Sequence, residues 1–316
     1  MGDPRILCLG EALIDFLQVN GGDDFKRQAG GAPLNVACGA AKLGASAAMI
    51  TMLGRDLFGD FLERTMVEHY VDTRGVRRTD QANTALAFVA LDARGERSFS
   101  FYRKPCADQL LAPAHLDDAL FGPELDVFHF GSISLIAEPS AAATRAAAER
   151  ARAAGAWVSY DPNLRERLWP DLDTARRTMI EAMALADIVK VSEGELHFLT
   201  GEERDEGVGQ LLARGATAVV VTRGERGCSV FSPDIDPVHV ASLGAEVVDT
   251  TGAGDAFVAA FLDAWVRLGI KEPRDVSDQR VAAAALRGNA AGALATTRYG
   301  AIPALPTRAE LDAALG

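Results

Sequence analysis

The sequence predicts an α/β protein: a central, mostly parallel β-sheet with helices on both faces and a small β-sheet projecting from it. Three observations carry this. Short apolar runs alternate with longer helical stretches, the pattern of parallel strands joined by helices. Polar, glycine-rich clusters fall just after those runs. Two segments of the N-terminal third read as strand and turn instead.

Ile6–Leu9, Ala48–Leu53, Val127–Phe130, Trp157–Tyr160, Ile188–Val191 and Ala218–Val221 read as buried parallel strands. Leu34–Leu43, Phe58–Glu68, Ser140–Ala153, Ala175–Ala184 and Glu193–Leu199 read as the helices between them. Ala85–Leu91 and Ser98–Tyr102 flank the hairpin turn Asp92-Ala93-Arg94-Gly95, and Ile14–Val19 runs into Asn20-Gly21-Gly22. These are too short for a second domain. They predict a lid of residues 12–28 and 72–108 on one domain spanning 1–316. Ala282–Ala295 suits closely packed helices.

The composition bounds the function. Of 316 residues, 48% are hydrophobic, enough for a large core. The net charge of −12 repels nucleic acid and anionic membrane, so neither is expected as a partner. A polyanion such as ATP must then be met by backbone N–H groups and isolated cations. Cys8, Cys38, Cys106 and Cys228 form no CxxC pair and read as reduced thiols. His129, inside an apolar run, reads as a core histidine. No export signal opens the chain and no run reaches the roughly 20 apolar residues of a membrane span, so a cytoplasmic protein is expected.

The polar clusters Gly10-Glu11, Gly54-Arg55-Asp56, Gly131-Ser132, Asp161-Pro162-Asn163, Ser192-Glu193 and Thr222-Arg223-Gly224 all follow predicted strands. In open α/β sheets ligands bind at the carboxyl ends of the strands. Asp249-Thr250-Thr251-Gly252-Ala253-Gly254-Asp255 precedes the helical run Ala256–Trp265. Small residues admit close approach of backbone to a ligand, and a helix start presents unpaired N–H groups. Gly252, Ala253 and Gly254 thus form a candidate anion hole, with Asp255 beside it to take a proton from an attacking alcohol.

No GxxxxGK[ST] loop occurs, and Phe257 stands where the dinucleotide fingerprint needs a third Gly or Ala. Gly30-Gly31-Ala32-Pro33-Leu34-Asn35 opens another helix; it reads as a plain loop or as a tight approach to a polyol, with Asn35 as donor and acceptor. Asp15 is open in the same way, because a carboxylate can accept from two adjacent hydroxyls.

On these residues the chain resembles the PfkB/ribokinase family of carbohydrate kinases over essentially its whole length. One family signature runs from Gly30-Gly31-Ala32-Pro33-Leu34-Asn35-Val36-Ala37 through Gly44 to Gly54. The other is Asp249–Asp255 followed by Ala259-Ala260-Phe261-Leu262. Within the family it is most similar to fructokinases, through Gly10–Asp15, Phe101-Tyr102-Arg103, Ala107-Asp108, Gly131–Leu135, Tyr160–Arg165, Lys190–Glu193 and Gly300–Pro306.

The resemblance implies a ribokinase-like fold and ATP-dependent phosphorylation of D-fructose at its 6-hydroxyl. It implies Asp255 as base and Gly252, Ala253 and Gly254 as anion hole, with Arg165 near the transferred phosphate. Asp15, Gly31 and Asn35 would hold the sugar, with Phe101 and Arg103 reaching in from the lid. Lys190, Ser192, Thr222, Gly224, Gly227 and Asn289 would serve the nucleotide, and Glu195 would organise Mg²⁺ through water. Ser192 stands where the family's element has asparagine. Asp249 and Thr251, with carbonyls of Ala295, Gly300 and Ala304, match a monovalent-cation site, often for K⁺. A homodimer through the lid is expected. Other sugar or nucleoside kinases of this fold, such as a 2-keto-3-deoxygluconate kinase, are the alternatives, and a silent kinase-shaped interaction protein is a further one.

Overall fold

The computed structural model describes residues 2–19, 22–91, 97–202 and 205–316. The large sheet is assembled from β1 (Arg5–Leu9), β4 (Ser46–Gly54), β5 (Asp72–Thr79), β8 (Val127–Gly131), β9 (Trp157–Asp161), β10 (Ile188–Ser192), β11 (Ala218–Thr222), β12 (Cys228–Ser232) and β13 (Ile235–Val240). Its order is β13-β12-β11-β10-β9-β8-β1-β4-β5. In that order the neighbours from β11 through β1 to β5 pair in parallel, and β12 and β13 close one edge antiparallel. β8, β9 and β12 are buried along their whole length, as a sheet covered on both faces requires.

The small sheet holds β2 (Leu13–Gln18), β3 (Phe25–Gly30), β6 (Leu86–Leu91) and β7 (Arg97–Tyr102) in the order β3-β2-β6-β7. The predicted second arm, 72–108, is too wide. Residues 72–79 form β5, which pairs in parallel with β4 and belongs to the large sheet. The cause is position: β5 is an edge strand carrying Arg74, Arg77 and Arg78, so no apolar run marks it. The turns predicted at Asn20-Gly21 and Asp92–Gly95 lie outside the described residues.

Three helices pack behind the candidate anion turn: α1 (Ala32–Lys42), α7 (Ala253–Arg267) and α8 (Asp278–Ala295). Small residues set their approach. A Cβ on Gly288 would come within 2.8 Å of the Phe257 ring, and one on Gly39 within 2.8 Å of Ala259 Cβ. The core on this side runs through Phe257, Phe261 and Trp265 of α7, with Trp265 edge-on to Trp157 at 5.6 Å. α1 and α7 are thereby fixed against the sheet, and both begin at its ligand edge.

His129 is a core residue, bonded to Ser159 Oγ at 3.1 Å, and burial pushes its pKa down to about 3. All four cysteines are free and buried. Among the described residues, no helix is long and apolar enough to cross a membrane.

Candidate active site

Two cavities meet at the start of α7. One, of about 290 Å³, lies between the strand ends and the lid, lined by Asp15, Gly31, Asn35, Phe101, Asp161, Arg165, Lys190 and Asp255 among others. The second, of about 380 Å³, lies on the other side of the turn, lined by Thr222, Gly224, Gly227, Leu243, Val247, Ala253, Phe257 and Asn289 among others. Thr250 and Gly254 line both. The turn 250–254 is therefore the shared wall.

Local chemistry fixes that wall. Gly252 caps α7 at φ +77°, where a side chain would be strained and a Cβ would come within 2.9 Å of Ala301 Cβ. The first helical hydrogen bond runs from Ala256 N–H to Gly252 O. The N–H groups of Gly254 and Asp255, in the first turn, have no intrahelical acceptor and add the positive dipole end. Asp249 braces the turn: its Oδ1 accepts from Thr251 N and Oγ1 at 2.8 and 2.7 Å, and its Oδ2 accepts from Gly300 N at 3.0 Å.

Asp255 stands at the floor of the first cavity. Asn35 Nδ2 donates to its Oδ2 at 2.7 Å, joining the starts of α1 and α7. Burial lifts its pKa above the ordinary carboxylate range, against the Asn35 hydrogen bond and the charges of Arg165 and Lys190. Asp15, on β2, is pushed up to about 6 by burial, with Arg165 pulling down and Asp255 adding repulsion. Gly31 has φ +111°, and a Cβ there would run into the Glu11 carbonyl, so glycine is what lets this turn pack against the end of β1.

Lys190 is the buried cation of the site. Its Nζ donates to Asp161 Oδ2 at 2.9 Å, and a Cβ on Gly254 would lie 3.4 Å from it. Burial would lower its pKa, yet Asp161 and Glu195 hold it above the usual lysine range. A permanent cation thus sits beside the free N–H groups of the turn. Together they can hold a phosphoryl group, while the Asp255 carboxylate can take a proton.

The chain is similar to known proteins over nearly its whole length. The pfkB family carbohydrate kinase profile matches residues 3–308. "Fructokinase-1" of Zea mays is 44% identical over 319 residues, covering 98% of this chain and 97% of its own. Fructokinase from Xylella fastidiosa, solved with bound ATP, superposes with a TM-score of 0.92 at 38% identity over 98% of both chains. A fructokinase double mutant from Vibrio cholerae O395, in fructose-, ADP- and potassium-bound form, superposes at 0.89 and 35% over 100% of both. The chain belongs to the pfkB family of carbohydrate kinases. It is a sugar kinase with the ribokinase-like α/β fold.

Not every expected residue of this kinase reaches a cavity. Arg103 does not line the first cavity. It is 5% exposed, ion-paired with Asp108, and lines a separate cleft with Lys104 and Arg167. Its charge acts on Glu11, whose carboxyl burial pushes up to about 7 and whose Oε1 accepts Ala32 N–H at 3.0 Å. The Arg103 charge thus favours the ionised form of the Glu11 carboxyl, against its burial. Ser192 and Glu195 line neither cavity. They form a capping box at the start of α5 (Glu193–Thr200): Ser192 N and Oγ donate to Glu195 Oε2 at 2.8 and 2.9 Å. Glu195 Oε1 accepts Leu164 N–H at 2.8 Å and so holds the loop that carries Arg165. Burial works against the Glu195 charge, but Lys190 and these donors keep its pKa below the ordinary range.

Asn289 lines the second cavity, but its amide donates to the carbonyls of Val240 and Ala241 at 2.9 and 3.1 Å, pinning the wall. Of the cation set, Asp249, Thr251 and Gly300 are joined by the hydrogen bonds above; Ala295 closes α8 and Ala304 closes a 3₁₀ turn, both fully buried. All of these offer oxygen donors, the kind that hard cations take.

Residues to which the sequence assigned no role also line the first cavity. Asp161 at the end of β9 is the partner of Lys190, and Leu13, Leu17 and Val89 form its apolar lid wall. The Asp161-Pro162-Asn163 cluster marked that strand end, but the pairing with a lysine 29 residues on has no local signature.

Proposed function

We propose that this kinase transfers the γ-phosphoryl group of ATP to the 6-hydroxyl of D-fructose, with Asp255 as general base. The observation that carries the reading is the junction at 250–255. A carboxylate with raised pKa faces one cavity, free helix N–H groups and Lys190 lie beside it, and a largely apolar second cavity opens behind the same turn. The fructose and nucleotide in the similar solved kinases support the choice of substrates.

Sugar hydroxyls bond to Asp15 and Asn35 and pass over the bare Gly31 backbone, while Leu13, Leu17, Val89 and Phe101 exclude water from the lid side. Asn35 holds the Asp255 carboxylate facing the reacting hydroxyl. Asp255 takes the proton as the oxygen attacks; the N–H groups of Gly254 and Asp255, with Lys190 and Arg165, stabilise the charge on the moving phosphoryl. Thr222, Gly224 and Gly227 form the nucleotide wall.

Among the described residues no group of three His, Cys, Asp or Glu side chains could hold a metal ion. Mg²⁺ would enter with the nucleotide phosphates and water, with Glu195 acting through water, as Mg²⁺ keeps much of its hydration. The ion would neutralise phosphate charge. K⁺ at Asp249, Thr251 and the carbonyls of Ala295, Gly300 and Ala304 would stiffen the anion turn.

The lid face opposite Asp15 and Leu17, which packs on Phe58 through Phe16, supports the homodimer at its exposed end. Phe16, Phe25, Phe88 and Tyr102 cluster there, with Phe25 and Tyr102 40% and 66% exposed. Light scattering should give about twice 33.5 kDa; a monomer mass removes this part of the reading. Four free, buried thiols suit a reducing compartment, and we read the protein as cytoplasmic.

With ATP as donor, D-fructose should have the highest kcat/KM in a panel with ribose, tagatose, 2-keto-3-deoxygluconate and adenosine. Any of these ranking above fructose replaces the substrate and leaves the phosphoryl-transfer chemistry standing.

A further inference from the structure

We propose that Gln28 is a positioning residue that couples sugar binding under the lid to the phosphate-holding turn 250–254. The inference rests on the function proposed above. Gln28 on β3 is directly opposite Asp15 on β2, so both side chains share one face of the lid. Asp15 lines the sugar-side cavity. Lys26 and Arg27 on the same strand are exposed, whereas Gln28 is half-buried. What covers it is the C-terminal turn at Gly300.

The amide of Gln28 is seated on the Gly300 backbone: a Cβ there would run into Oε1 and lie 3.1 Å from both Cδ and Nε2. Gly300 has φ +85°, so only glycine combines this backbone with so close a neighbour. Its N–H is the donor to Asp249 Oδ2 at 3.0 Å, and Asp249 Oδ1 holds Thr251 N–H at 2.8 Å. The next residue, Ala301, packs against Gly252, where a Cβ would meet its Cβ at 2.9 Å. The short turn is therefore gripped by the lid on one side and by the anion turn on the other. A shift of β3 toward bound sugar presses on Gly300 through Gln28, and Gly300 is tied by one carboxylate to the backbone that receives phosphate. Such a link makes each ligand improve the affinity of the other, because coupling between sites is reciprocal.

The test is calorimetric titration of ADP with and without saturating D-fructose, at fixed KCl, on the full-length protein. In the wild type, fructose should tighten ADP by about fivefold or more, the lower end of usual coupling. In Gln28→Ala the factor should fall below about twofold, with fructose affinity alone and Tm unchanged. Lys26→Ala, exposed on the same strand, should keep the wild-type factor. Gln28→Ala retaining that factor overturns the proposal, as does a variant that loses fructose affinity with coupling intact, which would make Gln28 a plain sugar contact. A wild type that binds both ligands without coupling overturns it too. If the wild type binds neither ligand, the functional reading falls and Gln28 with it.

Discussion

Asp255→Asn should leave fructose binding within a few-fold of wild type and lower kcat by roughly 10² or more, the usual scale for removal of a general base. The amide is isosteric and can still meet Asn35, so the α1–α7 junction survives. What is lost is proton acceptance. A second readout separates that from disturbed packing. The base must be ionised, so wild-type kcat is lost as pH falls through the Asp255 pKa. Burial places that pKa above the ordinary carboxylate value, so the acid limb lies higher than an exposed aspartate would put it. The residual rate of the variant should lack this limb. A variant with near wild-type kcat would exclude Asp255 as the base.

Lys190→Met should be the most destabilising change at the site. The Nζ of Lys190 is paired with Asp161, and its side chain is 12% exposed against 5% for its partner. Asp161, Glu195 and Asp255 all act on this cation. Removing one member of a buried pair leaves uncompensated charge and typically costs about 3–5 kcal/mol. Denaturant unfolding should show a loss of that size, with part recovered in Lys190→Met/Asp161→Asn, where the stranded carboxylate is also gone. Turnover should fall along with stability, because the cation beside Gly254 disappears. Stability within about 0.5 kcal/mol of wild type, the range of ordinary surface changes, would contradict the placement.

The inner strands were legible because burial on both faces makes them continuous apolar runs, as in Val127–Phe130 and Ala218–Val221. β5 was not, because an edge strand with Arg74, Arg77 and Arg78 has no such run. Asp255, Asn35 and Gly31 could be located because helix starts and glycine turns have local signatures. The Asp161–Lys190 pair had none, since only the parallel pairing of β9 and β10 brings the two together. Arg103 is a different case. The family resemblance implied that it reaches in from the lid, and nothing in the sequence marked that Asp108, five residues on, pairs with its guanidinium. Ser192-Glu193-Gly194-Glu195 did carry a readable sign, the Ser-x-x-Glu capping box, which assigns both side chains to the start of α5.

The outer edges of the site follow from packing that no short motif encodes. Gly300 matters because of a glutamine from the lid, and Gly252 because of Ala301. Both contacts join segments far apart in sequence, and they place the C-terminal turn inside the account of how sugar and phosphate are held.

Nuclear magnetic resonance of the product formed from ATP and D-fructose tests the central claim most directly. Wild-type protein should form fructose 6-phosphate and ADP in equal amounts, and Asp255→Asn should form it at least about a hundredfold more slowly. ADP release that does not depend on sugar, or phosphate on a carbon other than the sixth, would contradict it.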